Sequence, residues 1–223
     1  MKIAIDGPCG VGKSSLAKAI AVKFNLLYLD TGAMYRAVAY YFLKHNLDYN
    51  FENKTELEKI NIALISGAGA DIKIFLNGEN VSQFIREKKV AEAASVLAKY
   101  KSVRDKMNLL QKEIAHEKKN IIMDGRDIGS NIMPNADLKF YLDADISVRT
   151  KRRMKDLNLD LEDKVAFDDI YKKISERDYN DLNREISPLK KVAEAIFIDT
   201  SDMTFAQVKQ KVFNVIDFRL KNG

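Results

Sequence analysis

A single cysteine, Cys9, in 223 residues excludes an internal disulfide framework and suits a reducing compartment, so a cytoplasmic location is expected. The two histidines, His45 and His116, have no Cys or His partner at ligand spacing. Neither a zinc site nor a histidine-based nucleophile system is therefore visible. Long apolar runs are missing as well, and no stretch approaches the roughly 20 apolar residues of a membrane helix. Met1 to Ile5 is too short an apolar run for a secretory signal, because Asp6 and the glycines follow at once. Internal repeats, low-complexity tracts and flexible linkers are also absent. What is present is 46% apolar and 31% charged residues, the balance of a globular chain with one sizeable core, with room for inserted subdomains but not for a second large domain.

The net charge of +5 is modest for this length, and 27 Lys are mixed with 32 acids. That mixture reads as a solvated face more than as a nucleic-acid track. The ten arginines are more telling in a chain that otherwise uses Lys. Arg supplies a planar, permanently charged, bidentate donor, and phosphate recognition is the commonest demand for one.

The run Gly7-Pro8-Cys9-Gly10-Val11-Gly12-Lys13-Ser14-Ser15 follows the apolar segment Lys2–Asp6 and has the form G-x-x-x-x-G-K-S. Its glycines let backbone N–H groups wrap around phosphate oxygens, Lys13 adds a point charge, and a helix from about Ser14 aims its positive end at the same anion. The loop implies a bound nucleoside triphosphate. Cys9 is read as a small filler; the alternative is a thiol whose pKa is lowered by the helix N-terminus.

Apolar runs recur at Ile3–Ile5, Leu26–Leu29, Ile121–Met123, Leu138–Leu142 and Ala195–Ile198. Helical patterns alternate with them at about 14–23, 33–45, 103–117, 146–156 and 204–220. This predicts an α/β fold, a parallel five-stranded P-loop sheet with helices on both faces and ligands at the carboxyl ends of its strands. Asp71–Val81 breaks the pattern with alternating apolar residues and Asn77-Gly78, which predicts a small antiparallel β insertion. Arg149–Lys191 is highly charged and poor in large apolar residues, which predicts a mobile, exposed helical flap.

Four further clusters stand out. Asp30-Thr31-Gly32-Ala33-Met34-Tyr35-Arg36 opens a helix; Thr31 as N-cap with a surface Arg36 is one reading, and Arg36 facing a second phosphate is the other. Asp124-Gly125-Arg126-Asp127 lies at the end of a strand, where Asp124 suits a role near Mg²⁺ and the next two charges need a ligand or each other. Ser95 and Arg104 fall on opposite faces of a continuous helix, but Ser102-Val103-Arg104-Asp105 has capping-box form, and a break there lets both face one pocket. Arg177, Asp181 and Arg184 form one helical stripe and Arg149, Arg152 and Arg153 another. These are either salt-bridge ladders or charge neutralisers during phosphoryl transfer.

Together these segments resemble the bacterial cytidylate kinase family, a branch of the nucleoside monophosphate kinases among the P-loop NTPases. The resemblance spans nearly the whole chain and rests on G-P-C-G-V-G-K-S-S, L-D-T-G-A-M-Y-R, the A-A-S around Ser95, S-V-R at Arg104, D-G-R-D-I-G, R-R-M at Arg152 and E-R-D-Y-N-D-L-N-R-E-I-S-P-L. It implies one P-loop kinase domain over 1–223, with a monophosphate-binding region at about 31–115 and a lid at about 149–188. It also implies transfer of the γ-phosphoryl group of ATP to CMP or dCMP, with Mg²⁺ as cofactor, in a monomer with no nucleic-acid or membrane partner. Carried over by position, residues 7–15 with Arg152 and Arg153 hold ATP. Arg36, Arg126 and Arg184 hold the CMP phosphate, with Thr31 and Tyr35 in the same site. Asp181, beside Arg177, contacts the ribose, and Ser95, Arg104 and Asp127 read the cytosine edge. Lys13, Arg126, Arg177 and Arg184 are the expected catalytic charges. Many relatives carry Gly where this chain has Ser14, so both Ser14 and Ser15 offer a hydroxyl to Mg²⁺, with Ser14 the first candidate. Competing readings are a kinase for UMP or another monophosphate, and a nucleic-acid-dependent ATPase. A regulatory GTPase is disfavoured, because Asn53-Lys54-Thr55-Glu56 is only a weak match to a guanine-specificity motif.

Overall fold

The structure, a computed structural model, describes residues 1–48, 54–66 and 72–222. In chain order its elements are β1 (Lys2–Asp6), α1 (Lys13–Phe24), β2 (Leu27–Asp30), α2 (Thr31–Lys44), α3 (Lys54–Glu58), β3 (Ile62–Ser66), β4 (Ile72–Leu76), β5 (Glu79–Asn80), α4 (Lys88–Leu97), α5 (Lys101–Glu117), β6 (Ile121–Gly125), β7 (Leu138–Asp143), α6 (Ile146–Asp156), α7 (Lys164–Asn183), β8 (Ile196–Asp199) and α8 (Phe205–Asn222). A 3₁₀ turn covers Phe84–Arg86 and a π-helical turn covers Ile128–Ile132.

Five parallel strands form the main sheet in the order β2-β6-β1-β7-β8. Its strands are apolar on both faces because both are covered. Ile3, Ile5 and Ile122 pack with Leu16, Ile20, Val212 and Ile216 of α1 and α8. Ala4, Ile121 and Met123 pack on the opposite side with Met34, Phe42, Leu97, Val103 and Met107 of α2, α4 and α5. Alternate residues of one strand thus belong to different cores, the period-two consequence of the pleat.

An aspartate stands at or next to the carboxyl end of each strand in this sheet: Asp6, Asp30, Asp124, Asp143 and Asp199. All but Asp124, which meets two hydroxyls, accept from backbone N–H groups along this edge. Asp6 takes the N–H groups of Ile128 and Gly129 at 2.8 and 2.7 Å, Asp30 takes that of Ala33 at 3.1 Å, and Asp199 takes that of Ser201 at 2.9 Å. A carboxylate is the strongest acceptor for such otherwise unpaired amides. The same edge therefore gathers the groups from which a polar site is built.

The expected antiparallel insertion is a three-stranded sheet, β3-β4-β5. Asn77 and Gly78 turn it with φ of 49° and 85°, both left-handed, as a two-residue hairpin requires. Asp71, the first residue of the anticipated hairpin, and Asn53 of the weak guanine-type motif lie outside the described residues.

Three local expectations are corrected. Asp30, not Thr31, caps α2, because its carboxylate reaches Ala33 N–H while Thr31 turns its hydroxyl elsewhere. No capping box forms at Ser102; α5 starts at Lys101 after Tyr100, and Asp105 pairs with Lys101 at 2.6 Å instead. The charged segment after Arg149 is helical, yet α6 and α7 enclose a small apolar core of Met154, Ile170 and Ile174, with Phe167 and Leu161 against it.

Candidate active site

The loop between β1 and α1 has a backbone that only glycine allows at its first position. Gly7 has φ 148°, and a Cβ there would lie 2.1 Å from the carbonyl oxygen of Leu142 on β7. At the far end Gly12 has φ 92° and opens α1 without a side-chain cap, so the first amides of the helix face the loop interior. Lys13 folds back into this loop and donates to the Pro8 carbonyl at 2.6 Å. It is only 6% exposed, and burial reinforced by the Arg126 charge brings its pKa down to about 7.

Behind the loop, Asp124 at the end of β6 accepts from the Ser14 hydroxyl and from the Tyr28 phenol, each at 2.8 Å and each on a different oxygen. Thr31 donates to the backbone carbonyl of the same residue at 2.8 Å. Burial, with Asp30 nearby, pushes Asp124 up to about 6. Ser15 is exposed and makes no such contact, so of the two serines it is Ser14 that faces the carboxylate.

Both backbone polar groups of Cys9 are taken from α6 and α7. Its N–H donates to Asp178 at 3.2 Å, and its carbonyl accepts from Arg149 at 3.1 Å. Arg149 also pairs with Asp178 and donates to the Ala144 carbonyl at 2.9 Å. Burial would raise the Cys9 thiol, but Arg177, Arg126 and Lys13 outweigh it and the net shift is downward.

A second cluster sits at the end of β6 opposite α5 and the end of α7. Arg126 donates to Asp181 at 2.7 Å, and Arg184 donates to the other oxygen of Asp181 at 3.1 Å. Asp127 accepts from Arg184 and from Arg104, both at 3.4 Å, and from Asn131 at 3.1 Å. Arg104 is 2% exposed, lies against the Tyr35 ring, and its buried Nε has no partner among the described residues. Burial alone would raise Asp181, but Arg126, Arg184 and Arg177 hold it below the usual carboxylate range. Arg126 and Asp127 are thus paired, though not with each other.

Other expected site residues are placed differently. Arg36 pairs with Asp30 at 2.8 Å, and Ser95 donates back to the Ala91 carbonyl of its own helix at 3.2 Å. The arginine stripe of α6 divides: Arg149 is buried against the loop, Arg152 donates to Thr200 at 3.0 Å, and Arg153 is exposed. Arg177 is exposed on α7, yet its charge is felt at Cys9, Lys13 and Asp181. Arg184 stands just past α7 with an extended backbone and reaches back to Asp181, so that part of the expected ladder exists and shares its carboxylate with Arg126.

The cytidylate kinase family model matches residues 3–217. The chain belongs to the cytidylate kinase family. A cytidylate kinase of Fusobacterium nucleatum is 44% identical over 206 residues, 92% of each chain, and one of Ureaplasma urealyticum is 42% identical over 223 residues, 100% of this chain and 98% of that one. One of Bacillus subtilis is 38% identical over 219 residues, covering 97% and 96%. Among solved structures, a gluconokinase of Sinorhizobium meliloti aligns with a TM-score of 0.50 at 9% identity over 100% of this chain and 97% of that one, a likeness of fold alone. No helix among the described residues is long and apolar enough to cross a membrane.

In this member of the cytidylate kinase family, sequence reasoning passed over several residues that touch the site: Tyr28, Asn131, Asp178 and Ser187, with Arg149 noted only as part of a stripe. Asp178 adjoins Arg177 and Ser187 lies in the quoted I-S-P-L motif, but nothing in their spacing assigns a partner. Tyr28 sits inside an apolar strand, where its hydroxyl was the only signal.

Proposed function

We propose a division of labour in an enzyme that transfers the γ-phosphoryl group of ATP to CMP or dCMP, giving ADP and CDP or dCDP. The loop 7–15 holds the triphosphate, with Arg152 and Arg153 meeting ATP from α6. Arg36, Arg126 and Arg184 take the phosphate of CMP, Thr31 and Tyr35 line its site, and Asp181 beside Arg177 takes the ribose. Ser95, Arg104 and Asp127 read the base. Residues 31–115 form the monophosphate-binding region, 149–188 act as the lid, and the protein works as a monomer.

No base is required in this reaction, since the acceptor is a phosphate oxyanion. Catalysis reduces to in-line positioning and to screening of charge by Lys13, Arg126, Arg177 and Arg184. Arg126 and Arg184 are held by carboxylates, and substrate phosphates would replace part of that pairing. Burial lowers Lys13 to about 7, so near that pH about half of it is uncharged; a polyphosphate beside it would restore its positive charge.

The residues fit Mg²⁺. Among the described residues no group of three His, Cys, Asp or Glu is arranged for a metal ion. A hydroxyl and a carboxylate 2.8 Å apart, Ser14 and Asp124, supply a few hard oxygens. That suits an ion that keeps several waters and binds substrate phosphates. Bound there, Mg²⁺ would screen the phosphate oxygens.

The observation that carries the acceptor assignment is the state of Asp127. A carboxylate offers about four acceptor positions, and three are occupied, by Arg104, Arg184 and Asn131. One remains for the exocyclic amine of cytosine, while the unpartnered Nε of Arg104 is a donor for the ring acceptors. Uracil has no amine to offer and would leave Asp127 unmatched, a loss on the order of 10⁴-fold where a site is built around that bond. Coupled ADP-release assays across CMP, dCMP, UMP and AMP test this. CMP and dCMP are expected to lead, and equal rates with UMP would sink the base-reading role.

A further inference from the structure

Asn131 lies on the π-helical turn Ile128–Ile132, where the carbonyls of Asp127 and Ile128 accept from N–H groups five residues on, at 3.2 and 2.7 Å. Such wide turns re-aim side chains and are frequent at functional sites. Here the turn directs the Asn131 amide back onto the carboxylate that precedes it. Its Nδ2 donates to Asp127 Oδ2 and to the Ser187 hydroxyl, both at 3.1 Å.

Ser187 is itself unusual. It is a non-glycine residue at φ 50°, left-handed, in the turn after α7. That conformation is uncommon for serine and persists only where its surroundings hold it. The holding groups are visible: its hydroxyl accepts from Asn131 and from Asn108 of α5 at 3.3 Å, and its carbonyl accepts from Arg184 Nε at 2.7 Å. Arg184 is the same residue that donates to Asp127 and Asp181.

We propose that Asn131 is a positioning residue that sets acceptor specificity: by bridging Asp127 and Ser187, its amide aims the base-reading carboxylate and ties it to the turn that carries Arg184. Both amide hydrogens are committed, one to each acceptor. Removing them frees Asp127 to rotate toward its two arginines, where its last acceptor position no longer meets the base. The inference rests on Asp127 reading the cytosine amine.

The test measures kcat and KM for CMP, UMP and ATP in the parent and in Asn131→Ala, Asn131→Asp, Ser187→Ala and Asp127→Asn, with thermal melts of each. Asn131→Ala is expected to lower the CMP-to-UMP ratio of kcat/KM by about tenfold, the effect of one bond to a charged acceptor, with KM for ATP unchanged. Asn131→Asp keeps the shape but sets two carboxylates together, and should lower the ratio at least as far. Ser187→Ala leaves the bond to Asp127 and should raise KM for CMP and UMP alike, with the ratio within about twofold of the parent. A parental ratio in both Asn131 variants, with a changed ratio in Asp127→Asn, overturns the proposal and spares the base-reading role. An unchanged ratio in Asp127→Asn overturns both. A loss of ATP affinity equal to that of CMP would mean general damage, and also contradicts a positioning role.

Discussion

The two halves of the site are built by opposite means. The loop 7–15 is made of backbone: two left-handed glycines frame its ends, α1 starts without a cap, Lys13 folds its side chain into it, and Ser14 turns its hydroxyl onto Asp124 behind it. The cluster around Arg126 and Asp127 is made of side chains from four separate segments, α5, the loop after β6, α7 and the turn at Ser187. A backbone cradle takes any phosphate chain, because N–H groups recognise oxygen and charge. A side-chain cluster can be matched to one base, because each donor and acceptor is chosen. The proposed division thus gives general phosphate recognition and particular base recognition to different kinds of structure.

That difference predicts how each half fails. Gly7→Ala should have the largest effect, since its Cβ meets a backbone oxygen of β7 that no side-chain rotation relieves. A loss on the order of 4 kcal/mol is expected by chemical denaturation, together with loss of ATP binding. Lys13→Ala removes a charge without touching the backbone. Turnover should fall on the order of 10³-fold while the circular dichroism spectrum stays parental, and preserved turnover would contradict phosphate binding by this loop.

The smallest effect is a proton. Free Lys13 has a lowered pKa of about 7, so it is mostly neutral at pH 8. A bound triphosphate raises it again, so ATP binding at pH 8 should take up close to one proton. Calorimetry in buffers of differing ionisation enthalpy measures this. The uptake should vanish in Lys13→Ala; proton release by the parent would contradict the assignment.

The same contrast explains what was legible in the sequence. The cradle is contiguous, so Gly7, Gly12, Lys13 and Ser14 declare themselves by spacing, and the five strands declare themselves by apolar runs that two covered faces require. The side-chain cluster is dispersed, and only its charged members were visible. Arg104, Arg126, Asp127, Asp181 and Arg184 do converge, whereas the pairing of Asp127 with Asn131 depends on a π-helical turn that no residue pattern announces. Capping also misled at Ser102, because Asp105 had a nearer partner in Lys101. The shared helical stripe of Arg149, Arg152 and Arg153 hid three different environments, which tertiary packing alone decides.

The proposed base recognition stands most directly on Asp127. Its central measurement is the ratio of kcat/KM for CMP to that for UMP, in the parent and in Asp127→Ala. The parent should favour CMP strongly, and the substitution should collapse that preference by at least about a hundredfold while KM for ATP stays near parental. A ratio that survives the loss of this carboxylate would contradict the division between a general phosphate cradle and a base-reading side-chain cluster.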